Sequence, residues 1–296
     1  MSSYLPSIIL ILCIFAPCSF ATPPIQNSPN SQNSQKPLSN VSYASVLKQA
    51  KGTPSKIISY GDDSLQYGEL WLPNHSKQAQ LGSKPLIVFI HGGCWLNAYD
   101  IKHTQAASDA LSQAGFAVWS LEYRRTGDVG GAWPGSYQDI LQGIEYTKQL
   151  SQFNINQQQI LLMGHSAGGH LAILAANHYD QKADKRIKGV IGLAAISDIA
   201  KYAEGSNDCQ TATPRFMGGT YQAQQQSYDA ANPIKQGFHP NTILIHGDQD
   251  SVVPLAQSTD SGQKVVIVKG GGHFDMIHPG SKAWITLLKT IDELSR

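Results

Sequence analysis

Gly164-His165-Ser166-Ala167-Gly168 sets a serine between two glycines. The pentapeptide follows an apolar run, ILLM, and opens a stretch of helical composition, AGGHLAILAAN. On a tight turn from strand to helix a serine hydroxyl is forced outward, and glycines are needed where a Cβ would collide. A helix that starts directly behind the hydroxyl favours negative charge near it. The pentapeptide alone would be read as an ordinary Gly-Ser turn, and its setting between strand and helix is what gives it weight. A hydroxyl placed this way acts as a nucleophile once a base takes its proton.

The base is expected at His273, which follows the run VVIVK and three glycines, Gly270-Gly271-Gly272. His278 is a rival nearer the final helix, whereas His165 and His170 read as packing or polar surface residues. A base of this kind needs a carboxylate to orient it. Asp250, in HGDQD directly after TILI, gives the chain order Ser166, Asp250, His273. Asp248 is a rival, and so is Asp198 after VIGLAA. Attack on a carbonyl also needs donors for the oxyanion. His91-Gly92-Gly93-Cys94-Trp95 follows the run PLIVFI, and its glycines let backbone approach a substrate closely. The backbone N–H groups of Gly93, Cys94 and Ala167 are the expected donors, with His91 bracing the loop. Tyr123, Arg124, Arg125 and Asp139 suggest a structural polar cluster, and Trp95 and Trp133 are candidates for an acyl-pocket wall. The histidines show no metal-ligand spacing, and no glycine loop of the phosphate- or dinucleotide-binding type is present. No cofactor and no metal are therefore expected.

These residues need a frame that gathers loops at one edge. Strands are predicted over residues 56–60, 69–72, 85–90, 116–123, 159–163, 189–195, 242–246 and 265–269. Helices are predicted over 100–114, 136–150, 167–177 and 281–294. Residues 200–235 read as irregular and as a cap over the site. Alternating strands and helices specify an α/β fold with a mostly parallel central sheet covered by helices on both faces. Ligands bind such sheets beyond the carboxyl ends of the strands.

The motifs together resemble the α/β-hydrolases of the esterase and kynurenine-formamidase-like branch. The resemblance covers about residues 84–294 and rests on HGGCW, LEYRR (121–125), AWPG (132–135), GHSAGGHL, HGDQDSVVP and GGGHFDMI. It implies the α/β-hydrolase fold, Ser166 as nucleophile, His273 as base and Asp250 as its acid. It also implies an oxyanion hole of Gly93, Cys94 and Ala167, and no cofactor. One position departs from the formamidase-like members, which often carry an aromatic residue where this chain has Cys94. The expected substrate is a small carboxylic ester, followed by an aryl formamide such as N-formylkynurenine, then a peptide. A non-catalytic binding protein on the same fold is the reading from another class.

Composition sets the remaining bounds. The chain has 296 residues, enough for one sizeable core, and a formal net charge of +1 with no run of Lys or Arg. Nucleic acid and anionic membrane surfaces are thus poor candidate partners. Residues 1–21 read as a secretory signal peptide, since the apolar run is too short to span a bilayer and Ser19 and Ala21 precede a cleavage point at Thr22. A lipoprotein anchored at Cys18 fits that signal less well. Residues 22–50 read as a disordered linker and N-terminal segment, with a short helix possible over 42–50, and the domain is expected over 51–296. The protein is then secreted or periplasmic, with no stable membrane insertion once the signal is cleaved. Cys94 and Cys209 remain after cleavage, and an even pair in an oxidising compartment suggests one disulfide, the alternative being two separate buried thiols.

Overall fold

The computed structural model describes Met1 and residues 37–74, 77 and 81–296. The expected signal peptide and the linker over 22–36 lie outside the described residues.

Eight strands form one sheet: β1 (Lys56–Ser59), β2 (Tyr67–Trp71), β3 (Leu86–Ile90), β4 (Val118–Leu121), β5 (Ile160–His165), β6 (Ile187–Leu193), β7 (Thr242–Gly247) and β8 (Lys264–Val268). Their spatial order is β1-β2-β4-β3-β5-β6-β7-β8. β1 pairs antiparallel with β2, and β2 with β4; every later pairing is parallel. The described α-helices are α1 (Tyr43–Leu47), α2 (Gln105–Gln113), α3 (Gly135–Glu145), α4 (Ala167–Gln181), α5 (Ile199–Tyr202), α6 (Asp208–Met217), α7 (Gln225–Ala230), α8 (Pro233–Gln236), α9 (Ala256–Thr259) and α10 (Lys282–Leu294).

The two-residue period of a strand sends alternate side chains to opposite faces. In β3, Leu86, Val88 and Ile90 join one core with Ile140 and Ile144 of α3 and Leu171 of α4. Ile87 and Phe89 join a second core with Leu111 of α2 and Leu287 and Ile291 of α10. All five β3 residues are buried, which is why the run PLIVFI shows no alternation. Trimming any of these large side chains to alanine would cost about 2–5 kcal/mol. α4 is buried along its whole run from Ala167 to Asn177, so it has no polar face for sequence to display.

Two expectations change. Residues 200–235 are not irregular: α5, α6, α7 and α8 fill most of the stretch. The short helix expected within 42–50 is present as α1, but residues 37–40 are not a free linker, and the compact unit begins at Pro37. Leu38 N donates to Gly280 O and Leu38 O accepts from Lys282 N, forming a bridge beside Ser281. Val41 N donates to Asp275 Oδ2 at 3.1 Å. Val46 of α1 is 2% exposed within the second core. This strap lays Tyr43 against Phe274, His103 and Tyr99, with ring centroids 5.4, 5.8 and 5.6 Å away.

Candidate active site

β5 ends at His165, and α4 begins at Ala167. Ser166 between them has φ 55° and ψ −121°. That conformation is rare for a residue with a Cβ and is held by its surroundings at a cost of about 1–3 kcal/mol. Ser166 N donates to Leu193 O at 2.9 Å, and Ser166 O accepts from His170 N. The turn closes because its glycines let backbones touch. A Cβ on Gly168 would lie 2.2 Å from His91 O, and one on Gly164 would lie 2.2 Å from Gly168 O.

His273 opens a short 3-10 turn after β8. Its Nδ1 lies 2.7 Å from Asp250 Oδ2. Asp250 sits in the loop after β7, its side chain fully buried. Its Oδ1 accepts from Val252 N at 2.8 Å and Val253 N at 2.9 Å. Burial alone would raise the Asp250 carboxyl. The His273 ring, hydrogen bonds from His246 and His273, and the His246 charge outweigh burial and hold it well below the usual carboxylate range.

The rival residues are engaged elsewhere. Asp198 caps α5 by accepting from Lys201 N, and it also accepts from Asn232 Nδ2. Asp248 accepts from Gly270 N and pairs with Lys269. His278 Nδ1 accepts from Gly280 N, and its Nε2 lies 3.4 Å from Ser45 Oγ.

The loop after β3 approaches the serine from the other side. A Cβ on Gly92 would lie 2.7 Å from His165 O and 3.0 Å from Ser166 Cβ. Gly93, Cys94 and Trp95 all have positive φ, at 108°, 55° and 57°. Among the described residues, the N–H groups of Gly93, Cys94 and Ala167 are bonded to no acceptor in the chain. The loop is braced by the strand-end sequence LEYRR. His91 Nε2 meets Glu122 Oε1 at 2.8 Å, and Tyr123 OH donates to His91 O at 3.0 Å. Glu122 also accepts from Tyr123 N, Ile101 N and Arg125. Its burial would raise the carboxyl, but the His91 and Arg125 charges and these bonds hold it below the ordinary range. Arg124 forks onto Asp139. Of the predicted polar cluster, Tyr123 and Arg125 thus buttress the loop, while Arg124 and Asp139 pair with each other.

Cys94 and Cys209 form a disulfide with Cα atoms 5.0 Å apart. Ser166, His273, Gly93 and the disulfide line one cavity of about 270 Å³, together with Tyr43, Tyr99, His103 and Phe274. His273 is bonded to Asp250 and not to the Ser166 hydroxyl in this state; such contacts often tighten only when substrate binds. Trp95 and Trp133 do not line the cavity. Trp95 is fully buried and stacks on Phe216 at 4.8 Å, and Trp133 lies in a separate groove.

Two further residues lie inside the motifs GHSAGGHL and HGDQDSVVP, and sequence alone gives neither a part in the site. His246 Nε2 donates to Val253 O at 2.9 Å and lies 3.3 Å from Asp250 Oδ2, which holds the acid loop. His165, expected as packing or surface, is buried and donates from Nε2 to His273 O.

The sheet order, the strand-turn-helix serine and the loops gathered at one edge define an α/β-hydrolase. Residues 69–274 match the sequence profile of the BD-FAE family, and the chain belongs to that family. It is 24% identical over 257 residues to Esterase LipC of Mycobacterium tuberculosis, covering 78% of this chain and 62% of that protein. It is 27% identical over 249 residues to the isoprenylcysteine alpha-carbonyl methylesterase ICME of Arabidopsis thaliana, covering 74% and 56%. The chain thus spans less than two thirds of either relative. Among solved structures, Esterase B from Lactobacillus rhamnosis superposes with a TM-score of 0.67 at 20% identity, over 86% of this chain and 90% of that one. A truncated carbohydrate esterase from gut microbiota gives 0.66 at 23% identity, over 83% and 98%. These likenesses establish the fold.

Proposed function

We propose that the protein is a serine carboxylesterase that cleaves small esters through an acyl-enzyme on Ser166. The observation that carries this reading is the single cavity onto which Ser166, the Asp250-bonded His273 and the Gly93–Cys94 loop all open. His273 takes the Ser166 proton as Oγ attacks the ester carbonyl. The N–H groups of Gly93, Cys94 and Ala167 hold the oxyanion. The tetrahedral intermediate collapses, the ester C–O bond breaks, and the leaving alcohol takes the proton from His273. Water then repeats the sequence on the acyl-enzyme and releases the carboxylic acid. Asp250 holds the imidazole in the reactive tautomer and steadies its positive charge.

A cavity of about 270 Å³ with aromatic walls suits a short acyl group, since drug-sized ligands take about 300–1,000 Å³. The esterase relatives support the reaction class. A disulfide beside the site supports export, because such bonds persist in oxidising compartments. Initial rates on p-nitrophenyl acetate, p-nitrophenyl octanoate and N-formylkynurenine, with Ser166→Ala alongside, test the proposal. Turnover of the acetate that vanishes in the variant is the expected result. Preference for N-formylkynurenine would reassign the substrate to an amide, and no Ser166-dependent turnover of any of the three would remove the esterase reading.

A further inference from the structure

Cys94 has two functions at one position. Its N–H is one of the proposed oxyanion donors, and its Sγ is bonded to Cys209 in the first turn of α6. A non-glycine residue at φ 55° followed by another at 57° is an unusual backbone path. Such a path persists only where the surroundings impose it. α6 imposes it twice. Cys209 takes the Cys94 side chain, and Phe216 of the same helix stacks on the fully buried Trp95 at 4.8 Å and 11°.

The amino end of α6 is itself fixed. Asn207 accepts from Gln210 N at 2.9 Å while Gln210 Oε1 accepts from Asn207 N, a reciprocal cap. Asn207 Nδ2 also donates to Val252 O at 2.8 Å, within the loop whose N–H groups hold Asp250. Tyr202 OH donates to the same carbonyl. One short helix therefore joins the loop carrying the oxyanion donors to the loop carrying the acid.

We propose that the Cys94–Cys209 disulfide positions the oxyanion donors, so that full esterase activity requires the oxidised pair. Cys209 touches no reacting atom; it is a positioning residue that acts through Cys94 and α6. The inference rests on the reading of Gly93, Cys94 and Ala167 as the oxyanion hole. Removing one preformed donor costs about 10²–10³ in kcat. A donor that is displaced but still present should cost about 10- to 100-fold.

The test uses the full chain in three forms: oxidised wild type, wild type reduced with dithiothreitol, and Cys209→Ser. In the reduction the S–S bond breaks to two thiols, taking two electrons and two protons from the dithiol, which closes to its cyclic disulfide. kcat and KM for p-nitrophenyl acetate are read on preparations whose near-UV circular dichroism matches the oxidised protein. The rate of Ser166 phosphonylation by a fluorophosphonate is read beside them. The expected result is a fall in kcat of about 10- to 100-fold in both altered forms, with KM within about threefold. Phosphonylation should slow in parallel, and activity should return on reoxidation of the wild type but not of the variant. Unchanged kcat in folded reduced protein or in Cys209→Ser would overturn the inference. A loss confined to KM would also overturn it and make the disulfide a mere wall of the cavity. If oxidised wild type shows no Ser166-dependent turnover, the esterase reading fails first, and the inference falls with it.

Discussion

His165 Nε2 donates to the carbonyl oxygen of His273 at 3.1 Å. The residue before the proposed nucleophile thus holds the main chain of the proposed base. The two rings lie 4.6 Å apart, centroid to centroid. Burial pushes the His165 ring well below the usual imidazole range, and the neighbouring His273 and His103 push it the same way. His165 is therefore a neutral donor at neutral pH, and it adds no charge that would compete with an imidazolium on His273.

If this bond sets the distance between Ser166 and His273, His165→Ala should lower kcat by about 10- to 100-fold, because small misplacements of reacting groups are costly. KM should change little. Steady-state rates on p-nitrophenyl acetate decide the matter, and equal kcat in wild type and variant would show that the bond is only structural.

Asp250→Asn keeps an oxygen for Val252 N and Val253 N and exchanges the acceptor facing His273 for a donor. The imidazole then favours the wrong tautomer, and kcat should fall by about 10⁴-fold. Fluorophosphonate labelling should slow accordingly, while near-UV circular dichroism stays that of the wild type.

The same carboxylate should shape stability against pH. Asp250 titrates in the folded protein below the unfolded value of about 3.9. Its ionised form therefore stabilises the fold above about pH 4, and that contribution is lost as pH falls through the folded value. Urea unfolding of wild type and Asp250→Asn should differ most at pH 7, with the gap narrowing as pH falls below about 4 and closing only once pH passes the depressed folded value. A stability gap independent of pH would contradict this assignment.

Gly92→Ala should damage the site more than the fold. The added Cβ meets His165 O and Ser166 Cβ, so the loop must retreat from the serine. The donors retreat with it, and kcat should fall by about 10²-fold. A crystal structure of the variant would show the loop displaced from β5.

The strap over residues 37–50 should affect both binding and stability. Tyr43→Ala should raise KM for p-nitrophenyl acetate by about tenfold and leave kcat near that of the wild type. Starting the chain at residue 51 removes the buried Val46 and the bridge to Ser281. The loss of at least about 2 kcal/mol should lower Tm by roughly 4–8 °C. A melt identical to that of the longer chain would show that the strap is not part of the packed unit.

The sheet was legible in the sequence because β3, β5 and β7 are continuous apolar runs, which only strands covered on both faces require. The turn at Ser166 was legible because its glycines are forced by backbone contact. The stretch from α5 to α8 was not. Its helices are short, and its Gln, Thr and Tyr residues draw no apolar stripe. The Asn207–Gln210 cap and the glycine at its carboxyl end, Gly218, were the local signals that could have revealed α6. The strap was hidden for another reason. Its partners, Asp275 and residues 280–282, lie at the opposite end of the chain, and no local pattern records such pairing. The part played by His165 was hidden in the same way, since it acts through a hydrogen bond to the carbonyl of His273, far along the chain, whereas His246 stood inside HGDQDSVVP and its bond to Val253 O gave no pattern of its own. Trp95 and Trp133 suggested a cavity wall by type alone, and packing against Phe216 claims Trp95 instead.

Tyr43 reaches the cavity from a strap that contributes nothing to the sheet. The groups proposed to carry out the reaction stand on strand ends, while part of the cavity wall is appended from the amino end. Selectivity can therefore drift through mutation of the strap while the reacting groups stay under separate constraint. A fusion partner joined at Pro37 would stand only six residues from Tyr43, so a tag placed there is attached close to the cavity wall.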